Sequence, residues 1–390
     1  MDFIINKFRN RNIWSNYFLY LIYFLLGMYY PLFSFMRQTF PDHMGIVVLY
    51  NHVLLLLLLV KIILQKNSLA DWIFVFILLY LCRKSYQYNY DFYNIFGTMM
   101  FLCCAKNIDI KKIIKLDLGL RIIRSVLFIV LSFAGLMYNH VTFWVGERIR
   151  TFFGWTHPNM MGLDFLLLSL DIMYLRKEKK KWYDIFLYIP IIVFLGKTAN
   201  SRTAEVVIAG LIVIQLLSIV LKESWFHNII VLFTSGAFLF CIGIPSLGSY
   251  LYTLYPDFFL EHDNTMVSRI QLTLDFYNRN GRFALYGFPV EESDCLDMMY
   301  PYIGLHWGIA AMIIITLAIS YAIYKAAQKH DTGFLILLLC FLIYGWSEVA
   351  HVYPVYSYFS LLIGYYIMNY PPIIFSTEKA INIFNKLKRV

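Results

Sequence analysis

Charge is what this chain has least of. Asp, Glu, Lys and Arg make up 15% of its 390 residues, against 60% hydrophobic, whereas a soluble globular domain carries about 25% charged residues. An ordinary soluble globule is therefore excluded. No Walker-type loop, GxGxxG or His-Glu-x-x-His motif is present, so nucleotide-driven pumping within this chain is not expected. The six cysteines form no CxxC pair, and all but Cys295 lie in apolar runs. Neither a disulfide framework nor a zinc site follows from them, and the expected cofactor and metal content is none. The first apolar run, after Lys7, Arg9 and Arg11, lacks a small-residue cleavage site, so it reads as a retained anchor. No internal repeat is visible.

What remains is a succession of apolar stretches with a mean hydropathy of +0.62. Runs of about 17–22 residues can cross a hydrocarbon core of roughly 30 Å. They predict an all-α polytopic membrane protein, a single integral domain over 1–390. About 12 transmembrane helices are expected, near 14–35, 44–64, 69–82, 91–105, 118–138, 158–175, 183–199, 203–221, 226–246, 301–324, 332–346 and 352–370. An even number places both termini on one side. With that side cytoplasmic, the lysine-rich segments around Lys106–Lys115, Arg176–Lys181 and Lys379–Arg389 face the inner leaflet, as the positive-inside rule requires. The expected location is the cytoplasmic (inner) membrane of a bacterium, multi-pass. The net charge of +9 is then accounted for by lipid headgroups, with no nucleic acid partner. The tail 371–390, with Ile381, Ile383, Phe384 and Leu387 on helical spacing, predicts a basic amphipathic segment on the inner surface.

The opposite face holds few cations, and eight of the ten assigned there are arginines. Arginine offers a planar fork of donors matched to phosphate, where lysine is a hydrated point charge. That face also receives the longest polar segment, 247–300, which predicts a folded extracytoplasmic loop. Arg148 and Arg150 precede Gly154-Trp-Thr-His-Pro-Asn159, and Pro158 suits the first turn of a helix whose free N–H groups favour anions. Arg202 heads the next apolar helix but one, where a cation is unfavourable unless an anion joins it. Arg269 and Arg282 lie in the long loop beside aromatic residues. For each arginine the alternative is a side chain snorkelling to headgroup phosphates or standing in solvent. Asp297, Tyr300, Glu348 and His351 flank the last outer turns. Asp297 and Glu348 are the carboxylates best placed to take a proton, unless each merely pairs with an outer arginine. His157 adds a weaker candidate.

In order, these pieces are Gly154-x-x-His157-Pro158-Asn159-x-x-Gly162, then Asn200-Ser-Arg-Thr203 opening a helix, Ser268-Arg269-Ile270 and Tyr286-Gly287 in a long loop, and Asp297-x-x-Tyr300 leading to Gly308. This arrangement, spanning about 145–310, resembles the O-antigen polymerase and O-antigen ligase superfamily, the Wzy-type polysaccharide polymerases. The resemblance implies a multi-helix glycosyltransferase fold of the GT-C type. It implies a metal-independent, inverting transfer at the outer face of the membrane, joining undecaprenyl-pyrophosphate-linked oligosaccharide repeats and releasing undecaprenyl pyrophosphate. Arg148, Arg202 and Arg269 would hold the pyrophosphate, with Arg150, Asn159, Arg282, Tyr300 and His351 around the substrate and Asp297, Glu348 or His157 doing acid–base work. Asp297 stands where the ligase branch carries a histidine base, and Pro289 replaces a family glycine. A ligase of the same fold and a polysaccharide flippase are the rival readings. A chain-length regulator and a flippase are the partners implied.

Overall fold

The structure, a computed structural model, describes residues 2–370 except 44, 90–91, 138–140, 145–147, 178–180, 262–264, 281–282 and 290–295. Arg282, Asp294, Cys295 and the expected amphipathic tail 371–390 lie outside the described residues.

Among the described residues the regular structure is helical apart from one short hairpin. Helices α1 (Asp2–Thr39), α2 (Gly45–Leu64), α3 (Leu69–Asn89), α4 (Phe92–Cys104) and α5 (Ile110–Phe133) lead into strands β1 (Val141–Trp144) and β2 (Arg148–Thr151). The strands pair antiparallel, with Thr142 opposite Arg150. Then follow α6 (Pro158–Arg176), a 3₁₀ turn at Trp182–Leu187, α7 (Ile189–Lys197), α8 (Arg202–Val220) and α9 (Glu223–Leu254). The long polar segment folds into α10 (Pro256–Glu261) and α11 (Thr265–Asn280). The short α12 (Met299–Pro301) runs into a π-helical turn, Tyr302–Trp307, before α13 (Ile309–Gln328), α14 (Thr332–Tyr344) and α15 (Phe359–Asn369).

Local chemistry sets several boundaries. Asp109 caps α5 by accepting from Lys112 N, and Asp331 caps α14 by accepting from Phe334 N, each supplying a partner to a free first-turn amide. α7 stops where Asn200 takes a positive φ of 47° and its N–H bonds Leu195 O at 2.7 Å, a left-handed C-terminal cap that asparagine tolerates.

The core is built around α14, which is buried on nearly every side and packs against α9 and α13. A helix hydrophobic all round belongs inside. α1 packs on α2 and α5, α5 on α6, α6 on α8, and α15 on α4 and α13. At Gly364 a Cβ would lie 2.7 Å from Leu102 Cα, so the small residue lets α15 and α4 meet backbone to backbone, as membrane helices often do.

A helical membrane protein is thus what the chain builds, but not with twelve spans. Among the described residues five helices are long and apolar enough to cross a membrane: Ile13–Thr39, Pro41–Leu64, Arg202–Val220, Glu223–Gly243 and Ile309–Gln328. Their outward sides carry exposed Leu49, Leu56, Val206, Val213, Leu232 and Leu239, an apolar surface that suits lipid. Tyr93–Cys104, Thr332–Tyr344 and Phe359–Asn369 are shorter apolar helices; at 1.5 Å per residue each spans less than roughly 20 Å. α7 has only nine residues, α3 carries Asp71, Arg83 and Lys84, and α5 and α6 enclose a buried ion network instead of a uniformly apolar surface.

Candidate functional site

The connections α5–β1–β2–α6, α7–α8, α9 to α13 and α14–α15 meet at one end of the helices. The motifs that were separate in sequence are brought together there by direct contacts. β2 joins the α7–α8 turn through Thr151 N to Thr198 O at 3.0 Å. Gly162 on α6 faces the head of α8, where a Cβ would stand 2.5 Å from Ser201 Cβ. Thr203 Oγ1 and Ser347 Oγ are 2.7 Å apart, which ties the head of α8 to the residue next to Glu348.

Glu348 is the centre of the cluster. Its Oε1 accepts from Asn159 Nδ2 at 2.6 Å and from Arg269 Nη2 at 2.8 Å. Arg269 Nε lies 3.4 Å from Asp297 Oδ2, so α11 places one guanidinium between two carboxylates. The two differ in access: the Asp297 side chain is 46% exposed and that of Glu348 11%. Burial pushes the Glu348 carboxyl up to about 8, and nearby Asp297 pushes the same way, while Arg269 and then Arg150 pull it down. A carboxyl balanced near neutrality in this way is a common feature of acid–base sites.

Arg150 reaches this region from β2. Burial holds its guanidinium below the usual value, with Glu348 and Glu205 acting in the opposite direction, but an arginine stays charged regardless. Its Nε is buried and has no hydrogen-bond partner among the described residues, a donor left over for a ligand. His157 caps α6, its Nδ1 accepting from Asn159 N at 3.2 Å, which leaves the proton on Nε2 in the neutral ring. Its edge is exposed, yet the enclosing walls and the cations Arg150 and Arg269 hold it below the ordinary histidine value, against Asp297. The site therefore offers cations, a neutral imidazole and a buried carboxyl within one mouth.

Other candidates fall elsewhere. Arg202 is exposed at the head of α8, with Glu205 as an opposing charge. Arg148 pairs with Trp144 at the end of the hairpin. Tyr300 is buried against α9, edge-on to Phe238, and does not line the mouth. His351 is 0% exposed, enclosed by Phe341, Tyr344 and Phe359. Burial drives its imidazole down to about 3, so it is a neutral core residue in the packed interior. No group of three or more candidate metal ligands occurs among the described residues.

The sequence reading missed the ions beneath this mouth. Between α5 and α6, Arg121 Nε donates to Asp117 Oδ2 and Arg121 Nη1 to Asp164 Oδ1, both at 2.6 Å, and Arg124 also binds Asp164. Tyr23 of α1 donates to Asp117 and Tyr358 to Asp171. The available signal was the presence of Arg121, Arg124, Asp164 and Asp171 inside runs read as spans, because ionisable residues there are functional candidates by default.

The extended stretch after α11 also takes a defined place. Phe288 N bonds Leu305 O, and Ile309 N and Ala310 N bond Ala284 O and Leu285 O, at 3.0–3.1 Å. Gly287 (φ 83°) and Gly308 (φ 96°) lie back to back, and a Cβ on Gly287 would be 2.9 Å from Gly308 N. This explains two glycines that sequence order alone had only placed in series.

No protein-family model, no curated protein and no solved structure shows a significant match to this chain.

Proposed function

We propose that the chain is a polymerase of surface polysaccharide, joining repeat units carried on undecaprenyl pyrophosphate at the outer face of the cytoplasmic membrane. The observation that carries this reading is the convergence of Arg150, Arg269, Asn159, His157, Asp297 and Glu348 from well-separated segments. In this scheme Arg269 and Arg150 hold the diphosphate of the donor and stabilise the charge that develops as it leaves. Glu348 takes the proton from the acceptor hydroxyl as that oxygen attacks the anomeric carbon. Asn159 and Arg269 keep the carboxyl oriented. The glycan passes to the acceptor, and the diphosphate leaves on its lipid.

The test is deletion of the gene followed by analysis of lipid-linked glycans. Accumulation of single repeats on the outer leaflet is the expected result, whereas loss of attachment to a final acceptor indicates a ligase. The buried Asp117–Arg121–Asp164 ions give a specific reason to retain a transporter as second reading, since transporters place charges within the bilayer. A backlog of repeats facing the cytoplasm would favour it.

A further inference from the structure

We propose that Arg121 and Asp164 are positioning residues for the Glu348 site, fixing through the buried core between α5 and α6 the distance between the two segments that form its central contact. The inference rests on the reading of that site as catalytic only for its activity readout; the geometric readout is independent of it.

Stability does not account for the network. Asp117, Arg121, Arg124 and Asp164 are all at most 5% exposed, and a buried ion set of this kind is commonly no more stable than apolar residues of similar volume. Interhelical polar contacts in membranes are likewise modest in worth. Geometry does account for it. Asp164 Oδ2 accepts from Trp155 Nε1 at 2.8 Å, and Trp155, fully buried, stands two residues before His157 and four before Asn159. Arg121 Nη2 donates to the carbonyl of Tyr356 at 2.9 Å, and Tyr358 donates to Asp171 at 2.6 Å. Tyr356 and Tyr358 belong to the α14–α15 connection that carries Glu348.

One guanidinium thus joins α5 to α6 and to the Glu348 connection, while its carboxylate partner holds the turn that presents Asn159. Tyr30 of α1 closes the bracket, since its Oη accepts from Thr156 N at 3.0 Å and its ring meets Tyr356 edge-on at 5.1 Å. Three nitrogens of Arg121 point to three different acceptors in one plane, which a lysine cannot reproduce. At the open end of the bracket lies the 2.6 Å contact of Asn159 with Glu348.

Two kinds of variant test this. Arg121→Lys keeps the charge and removes the fork. The combined Asp117→Leu, Arg121→Met, Arg124→Leu, Asp164→Leu and Asp171→Leu protein removes all five buried ions of the network, so that none is left without a counter-charge. Each is purified in detergent and checked for a monodisperse profile and parental melting temperature. The first readout is disulfide formation between Asn159→Cys and Glu348→Cys under limiting oxidant, measured by mass spectrometry of the linked peptides in a Cys295→Ser background. The five described native cysteines are buried and do not compete. The second readout, with Asn159 and Glu348 restored, is repeat-unit polymerisation against pH.

The expected result is a cross-linking rate several-fold below the parent in both variants. Turnover falls by about 100-fold, the cost of roughly 1 Å of misplacement, with KM less affected and the limb on which rate rises with pH displaced. Folded variants that cross-link at the parental rate overturn the proposal. So does loss of folding in every variant, which would make the ions a folding requirement. Slower cross-linking in the variants, with a parent that shows no polymerisation, leaves the positioning role standing and removes the polymerase reading instead.

Discussion

Arg269→Gln removes the one cation that, among the described residues, bonds Glu348, while keeping a shorter, neutral polar side chain. Arg269 Nη2 lies 2.8 Å from Glu348 Oε1 and is the first influence lowering a carboxyl that burial raises to about 8. An opposite charge this close depresses a carboxyl by about 1 to 3 pH units, or about 1.4 to 4 kcal/mol. Without it the Glu348 carboxyl moves further up. Because Glu348 must be ionised to accept the hydroxyl proton, the limb on which rate rises with pH moves the same distance in the alkaline direction. At neutral pH the ionised fraction, and with it turnover, falls roughly tenfold or more. The assay is polymerisation of a purified lipid-linked repeat in proteoliposomes at saturating donor, over about pH 6 to about 10, a range that brackets both limbs. Saturation separates this effect from the weaker diphosphate binding that the variant also brings, which is read in KM. A limb that stays in place, or that moves to lower pH, refutes the assignment of Glu348 as the base and of Arg269 as its electrostatic partner.

Glu348→Gln should abolish turnover, by about 100-fold or more, yet raise thermal stability in alkaline buffer. The reasoning is one of sign: a carboxyl raised in the folded state stabilises it at low pH, and that stability is lost as pH climbs from the ordinary carboxylate range through about 8. Melting curves at low and high pH check this, since the difference between variant and parent should grow with pH. Gly162→Val forces a branched side chain against Ser201 and should cost about 1–3 kcal/mol of stability, seen as a lower melting temperature in detergent. Gly287→Ala puts a Cβ within 2.5 Å of the His306 carbonyl carbon at a left-handed φ. It should detach the stretch 283–289, read as faster proteolytic cleavage there with little change at α11.

Much of this architecture was legible because hydrophobic runs and turn residues act locally. Each expected span coincides with a helix or helical turn, and Pro158 opens α6 as its chemistry suggests. The count of crossings was not legible, because apolar length alone does not say whether a helix faces lipid or other helices; α14 is apolar through burial in the core. The mouth was partly legible. His157, Asn159, Arg150, Arg269, Asp297 and Glu348 meet there, while Tyr300 and His351 turn into the core, since aromatic-rich connections can pack as tightly as helices. The ions of α5 and α6 went unread because a window of hydropathy averages Arg121 and Arg124 into their apolar neighbours. Their partner Asp164 lies 43 residues from Arg121 in the chain, a separation that no local pattern reveals.

The paired glycines at 287 and 308 divide the long polar segment into two mechanically unlike parts. Residues 284–288 are sewn to the start of α13 by main-chain bonds, which cannot slide without breaking. α11, by contrast, rests on α9 through side chains such as Ile270 against Gly248, and side-chain contacts can re-form after a small shift. In the proposed polymerisation the side of the site that can give way to a bulky glycan is α11, and a displacement there would draw Arg269 away from Glu348. Threading of product and the charge state of the carboxyl would then be coupled through a single helix.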